Sequence, residues 1–286
     1  LADDPETKVI ALYIDGSRNG ERLKSALEEA ARKKPVVVLK GGVTEHGSRA
    51  ASSHTGSLAG SAQTWETLFK QSGAIQVENF DELVDTILAF TYSPLPSGKG
   101  VSIITTSGGF SVTETDVCVK AGLEVPQFRQ ETIKELRKIV PIAGTSPRNP
   151  LDAWPIFFSG TLPDAIKLVA LDENIHSLVV HIGGGLAMFI KRYADAEEKK
   201  IEAQELVKGF INAVADACQY ARDEINEVVM VCVSLDVYTE DEEERKYQIM
   251  TKKIFESRGF PVYPSLDGAI KALSNLYKYH TRSSID

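Results

Sequence analysis

Cysteine is scarce in this chain. The 286 residues hold three, Cys118, Cys218 and Cys232, too few and too scattered for a disulfide framework or a cysteine-ligated zinc site, so a reducing, cytoplasmic setting is expected. Long apolar runs are missing as well. No stretch approaches the roughly 18 residues a membrane-spanning helix needs, and no signal peptide opens the chain. Nor is there an excess of positive charge. The formal net charge is −8, which argues against nucleic acid as a partner. What remains is ordinary for a globular protein, 43% hydrophobic and 25% charged residues, in a chain long enough for two domains. The first residue is Leu1 rather than methionine, and a fragment or a processed chain is expected.

Short apolar runs alternate with amphipathic segments. VIALYID (Val9 to Asp15) reads as a buried strand, and the segment Gly20 to Lys34 as a helix with Leu23, Ala26, Leu27 and Ala30 at helical spacing. PVVVLKGG (Pro35 to Gly42) is a second strand, followed by a small-residue loop from Gly41 to Gly60. A helix with Trp65, Leu68 and Phe69 on one face stops at Gly73. AIQV is a third strand, and FDELVDTILAF the helix behind it. SPLPSGKG (Ser93 to Gly100) is rich in proline, glycine and serine and reads as a linker. The second half repeats the rhythm with strands at VSIITT, LEVPQ, SLVVHIG, VVMVCVS and PVYPS, and with a long helix bearing Leu206, Phe210, Ala213 and Ala217 on one side. TEDE, from Thr239, reads as a capping-box helix start rather than a cation site. Continuous apolar strands alternating with helices predict an α/β fold of two flavodoxin-like, doubly wound parallel-sheet domains, at residues 1–96 and 97–286. Three strands are few for the first, so an upstream strand and helix are expected to be missing.

In open α/β sheets ligands gather at the carboxyl ends of strands. Four segments fall there: Asp15-Gly16, the loop with His54, TTSGGF (Thr105 to Phe110), and GGGL from Gly183. TTSGG offers backbone N–H groups and a helix N-terminus to an anion, with phosphate the natural guest. From spacing alone it reads first as a tight turn that needs glycine. His54 stands among serines, alanines and glycines with nothing bulky beside it, and admits three readings: phosphoryl acceptor, general base or exposed bystander. Asp15, by its place at a strand end, could hold one imidazole nitrogen and leave the other as nucleophile; it could equally cap the turn before Gly16. His181 lies mid-strand and reads as a satisfied core residue. His46 sits on an exposed bend, and His176 and His280 have no nameable partners. Cys218 and Cys232 read as small buried thiols.

These residues resemble a family. KPVVVLKGG followed by GSRAASSHTGSLAGS is similar to the phosphohistidine segment of the NDP-forming acyl-CoA synthetases, the ADP-forming acetyl-CoA synthetases related to succinyl-CoA synthetase. LYIDG at Leu12, TTSGG at Thr105, ETIKELRKIVP at Glu131 and NPLD at Asn149 extend the likeness, more firmly up to about Asp152 than beyond it. The resemblance implies conversion of acyl-CoA, phosphate and ADP into the acid, CoA and ATP. An acyl phosphate forms first, and its phosphoryl group passes through a histidine, here His54, to the nucleotide. It also implies that the carboxylate of Asp15 supports that histidine, where the family usually has glutamate. Ser107, Gly108 and Gly109, with Thr55 and Gly56, are the expected phosphate-binding residues. The usual continuation GGPGV is GGFSV here; Phe110 keeps a backbone N–H that proline lacks and brings a larger side chain. CoA or acyl-CoA and ADP or ATP with magnesium are expected as substrates, held mainly by a CoA-binding domain and an ATP-grasp domain or subunit that are not in this sequence. Those two are the expected partners, in an oligomer. Synthetase-like modules fused to acetyltransferases, with regulatory rather than catalytic roles, are the alternative.

Overall fold

The computed structural model describes residues 1–55, 61–105, 108–140, 146–152, 160–183, 197–234 and 240–283. The chain divides into two compact units, Leu1–Thr91 with Asn275–Asp286, and Tyr92–Ser274. The division falls between Thr91 and Tyr92, just ahead of the proline-rich stretch Ser93–Gly100; no local signal marks the return of the last residues to the first unit.

The first unit is built on a parallel sheet in the order β1 (Ile10–Ile14), β2 (Val36–Lys40), β3 (Ile75–Val77). All five residues of β2 are buried, as befits the middle strand of a covered parallel sheet. Helix α1 (Gly20–Lys33) starts at Asn19, whose side chain accepts from the Arg22 N–H at 2.9 Å. Its buried residues are Leu27 and Ala31, with Leu23 and Ala30 partly buried beside them. α2 (Glu45–Thr55) follows β2, and α3 (Ala62–Ser72) buries Trp65 and Phe69 against α1 and β2. α3 ends at Gly73, where φ is +80°, a left-handed C-cap that favours glycine. α4 (Phe80–Tyr92) completes this part of the chain.

The second unit holds five parallel strands: β4 (Val101–Thr105), β5 (Leu151–Asp152), β6 (Ser177–Ile182), β7 (Val228–Val233) and β8 (Val262–Tyr263). Their order is β5-β4-β6-β7-β8, the 2-1-3-4-5 winding of flavodoxin-like sheets. β4, β6 and β7 are buried throughout. The helices are α5 (Gly108–Lys120), α6 (Gln130–Ile139), α7 (Leu162–Ala170), α8 (Glu197–Asp223), α9 (Glu242–Glu256) and the start of α10 (Leu266–Ser283), whose residues from Asn275 onward belong to the first unit. No helix among the described residues is long and apolar enough to cross a membrane.

Three expectations are corrected. LEVPQ is not a strand of the sheet: Glu124 makes a single bridge to Gly100, and Pro126, which has no N–H, cannot continue a ladder. The fifth strand is instead Leu151–Asp152. On α8 the buried stripe runs through Ala203, Val207, Ile211, Val214, Cys218 and Ala221, while Leu206 is 66% exposed and Ala213 faces solvent. Ala217 of the expected stripe is buried and Phe210 packs partly against the core, but the main inward stripe is the one richer in β-branched residues. The N-cap of α9 is Asp241, whose carboxylate accepts from the N–H groups of Glu243 and Glu244; Thr239 lies outside the described residues.

Candidate functional site

β1 and β2 are parallel, so Asp15 and Lys40 both reach the carboxyl end of the first sheet. Side chains two apart on a strand share a face, which brings Tyr13 beside Asp15. The Tyr13 hydroxyl donates to the Asp15 carboxylate, and this bond to an anion raises the phenol above its ordinary range. The two meet above Gly41. A Cβ at that position would lie 2.5 Å from Asp15 Oδ1 and 2.6 Å from the Tyr13 oxygen, so only glycine lets them close over the backbone. Lys40 is 4% exposed. Its ammonium donates to the Asp15 carbonyl at 2.8 Å and to the Gly41 carbonyl, and lies 4.9 Å from the centre of the Trp65 ring. Burial lowers its pKa, partly offset by the charge of Asp15. Tyr13 itself is 55% exposed and stacks on the exposed ring of Phe80. A groove of about 920 Å³ opens in the same unit, bordered by Lys40, Lys70, Lys278 and Arg282 and by Val43 and Ala62, which flank the His54 segment.

His54 does not stand in a loop. It occupies the last turn of α2. Thr44 starts this helix: its Oγ1 accepts from the Gly47 N–H at 3.1 Å, and its carbonyl from the Ser48 N–H at 2.7 Å. An ion pair between Glu45 and Arg49 at 3.5 Å, four residues apart, adds support. His46 is exposed on the first turn of α2, its Nδ1 2.9 Å from an Arg49 nitrogen. The side chains of residues 52–60 lie outside the described residues, and with them the Asp15–His54 contact that the sequence reading looks for. Thr55 ends α2, and Gly56 is also outside them.

In the second unit Gly108 and Gly109 open α5, as the TTSGG reading expects; Thr106 and Ser107 are outside the described residues. Residues on either side of this turn meet at His181. The His181 ring is 2% exposed. Its Nδ1 lies 2.9 Å from Thr105 Oγ1 and its Nε2 2.7 Å from Ser234 Oγ. The Phe110 ring stands edge-on to it at 5.1 Å. Burial pushes the imidazole down to about 4, so it is neutral near pH 7. The expected satisfied core histidine is thus found, with both nitrogens engaged.

His176 does have a partner: its Nδ1 accepts from the Gly100 N–H at 3.3 Å. Cys118, Cys218 and Cys232 are buried and unbridged, and burial raises the first two thiols to about 12, which suits packing rather than chemistry. No metal-holding cluster of His, Cys, Asp or Glu occurs among the described residues. Tyr13 and Lys40 are the members of the first constellation that the sequence reading did not single out. Both stand inside the quoted motifs LYIDG and VVVLKGG, Tyr13 one position from the end of its strand and Lys40 at the end of its own, which is the signal that was available.

Residues 1–90 match the family model described as the succinyl-CoA ligase like flavodoxin domain. The chain is 41% identical over 179 residues to the alpha subunit of acetate–CoA ligase [ADP-forming] II of Pyrococcus furiosus, a match covering 63% of this chain and 39% of that one. It is 29% identical to the alpha subunit of the ADP-forming ligase I of the same organism over 97% of this chain and 54% of the relative. Among solved structures, the dinucleotide-forming acetyl-coenzyme A synthetase 1 of Ca. Korarchaeum cryptofilum, in complex with phosphate and ADP, superimposes with a TM-score of 0.74 at 25% identity, covering 99% of this chain and 55% of that one. The chain therefore spans about half, or less, of the length of these relatives. Residues 1–90 thus match the succinyl-CoA ligase-like flavodoxin domain, and over most of its length the chain is similar to the alpha subunits of ADP-forming acetate–CoA ligases, of which it spans a part.

Proposed function

We propose that this chain is the phosphohistidine-bearing part of an acyl-CoA synthetase that turns acyl-CoA, phosphate and ADP into the acid, CoA and ATP. His54 is the phosphoryl carrier. Its neutral imidazole attacks the phosphorus of an acyl phosphate; the N–P bond forms, the P–O bond to the acyl group breaks, and the acid leaves as its carboxylate. An oxygen of ADP then attacks the same phosphorus and the N–P bond breaks, giving ATP. Asp15 holds the N–H of the second imidazole nitrogen, which selects the tautomer and leaves the first free. Tyr13 and Lys40 hold Asp15 from its carboxylate and carbonyl sides.

The last turn of α2 carries the negative end of the helix dipole, which favours an imidazolium and disfavours a phosphoryl dianion. The phosphoryl group therefore needs donors from elsewhere. Ser107, Gly108 and Gly109, at the positive start of α5, are assigned that role, with Thr55 and Gly56. CoA and the magnesium nucleotide are bound mainly by a CoA-binding domain and an ATP-grasp domain or subunit, which this chain meets in an oligomer. Two of the relatives are named as alpha subunits, which supports the presence of a partner.

The observation that carries the reading is His54 within SHTGSLAGS, on the helix that follows β2, at the sheet end that also presents Asp15. A regulatory, non-catalytic module is the second reading, favoured by Asp15 in place of glutamate and by Phe110-Ser111 in place of proline-glycine. Mass spectrometry under non-acidic conditions separates them, on this chain incubated with its ATP-grasp complement, ATP and magnesium. An acid-labile phosphoryl adduct in wild type and none in folded His54→Ala is the expected result; no adduct in the wild type with a competent complement supports the regulatory module.

A further inference from the structure

The flavodoxin-like winding reverses between β4 and β6, and the crevice outside the carboxyl ends of those strands is where such sheets place ligands. The proposed phosphoryl transfer leaves one buried, titratable group at this place unused. His181 is on β6, Thr105 is the last residue of β4, and Ser234 follows the last residue of β7. We propose that Ser234, His181 and Thr105 form a nucleophile, base and orienting group that accept an acyl group from an activated ester or thioester.

The geometry is that of an activated serine. Ser234 Oγ lies 2.7 Å from Nε2, within direct proton-transfer reach, and Thr105 Oγ1 is 2.9 Å from Nδ1. With the ring proton on Nδ1, donated to Thr105, the Nε2 lone pair faces the serine O–H. The ring is held by the two hydroxyls, packs in a T-shaped contact with the Phe110 ring at 5.1 Å, and is 2% exposed. Ser234, in contrast, is half-buried and so reachable. Burial also keeps His181 uncharged near neutral pH, the form a base requires. Thr105 supplies a hydroxyl where a carboxylate would strengthen the base, so the acylation is expected to be slow. Its balance is simple. Ser234 Oγ attacks the acyl carbonyl carbon and gives its proton to Nε2; the bond from that carbon to the leaving oxygen or sulfur breaks; and the proton on Nε2 passes to the leaving group. The product is an O-acyl Ser234 and a free alcohol, phenol or thiol. None of this involves His54, so the inference stands or falls apart from the phosphoryl-carrier reading.

The full chain is treated with p-nitrophenyl acetate near neutral pH, nitrophenolate release is timed, and acetylated peptides are mapped. An acetyl group at Ser234 is expected in the wild type, and none there in Ser234→Ala, a change small enough to leave the fold intact. His181→Phe is expected to slow acetylation of Ser234 by about 100-fold. Thr105→Val should slow it and Thr105→Ser restore it, a rescue that a purely structural hydroxyl would not give in the rate while urea midpoints stay equal. No acetyl group on Ser234 in the wild type overturns the proposal, as does a Ser234 acetylation rate unchanged in folded Thr105→Val or His181→Phe.

Discussion

Acidification tests the buried imidazole of His181 through stability. In the unfolded chain a histidine takes up a proton near its ordinary value of 6.5, whereas His181 in the fold does so only near 4. The folded state thus binds fewer protons between these values. Its stability is complete above about 6.5 and is lost as pH falls toward 4. At about 1.4 kcal/mol per unit the full window is worth about 3 kcal/mol, of which about 2 kcal/mol falls between roughly pH 7 and pH 5. Two buried carboxyls run the other way. Burial raises Asp85 to about 6, with Asp81 and Glu82 adding to it, and raises Glu227 to about 7. Each disfavours the folded state more as pH rises through its window and is relieved by acid. The pH dependence of the wild type is therefore partly cancelled, and the informative quantity is the difference from His181→Phe. Urea unfolding at the two pH values should show the variant gaining about 2 kcal/mol more than wild type on acidification. Equal pH dependence in the two proteins would refute the account of His181 as a buried neutral base.

Asn149, 2% exposed, donates to the Val101 and Pro126 carbonyls at 2.7 and 2.9 Å and accepts from the Ile103 N–H at 3.2 Å. Asn149→Ala leaves those groups unpaired and should cost about 3 kcal/mol in urea unfolding; a loss under about 0.5 kcal/mol would show that other groups take its place. Phe69, 1% exposed and 5.7 Å from the Trp65 ring, should cost about 3–5 kcal/mol as Phe69→Ala, read by tryptophan fluorescence. Gly41→Ala forces Tyr13 and Asp15 apart, and the Tyr13 phenol should then titrate lower, by nuclear magnetic resonance of labelled tyrosine, than in the wild type. An unchanged titration would mean that the pair closes without help from Gly41.

The elements that local chemistry marks were legible in the chain. The spacing of Leu23, Leu27 and Ala30 in α1, the four buried residues Val36 to Leu39, and the stop at Gly73 are each visible within a few residues, and their ends agree closely with the structure. α2 was not, because Gly47 and a run of serines argue against a helix, and the cap at Thr44 outweighs them. β5 is two residues long and has no periodicity to detect. The setting of His181 was out of reach for another reason. Its hydroxyl partners are 76 and 53 residues away in the chain, and only the winding of β4, β6 and β7 brings them together. Asp15 could be placed at a strand end by pattern alone, yet its bond to Tyr13 and the clearance over Gly41 depend on the register of β1 against β2.

The central claim is that His54 carries phosphate rather than merely being modified. Its most direct test is a single-turnover chase. The chain is labelled on His54 with radioactive phosphate, freed of nucleotide, and mixed with the ATP-grasp complement, magnesium and ADP. The account predicts that the label leaves His54 and appears in ATP, and that Asp15→Asn slows this transfer without unfolding the chain. Label that stays on His54 with a competent complement, or that never enters it, would contradict the account.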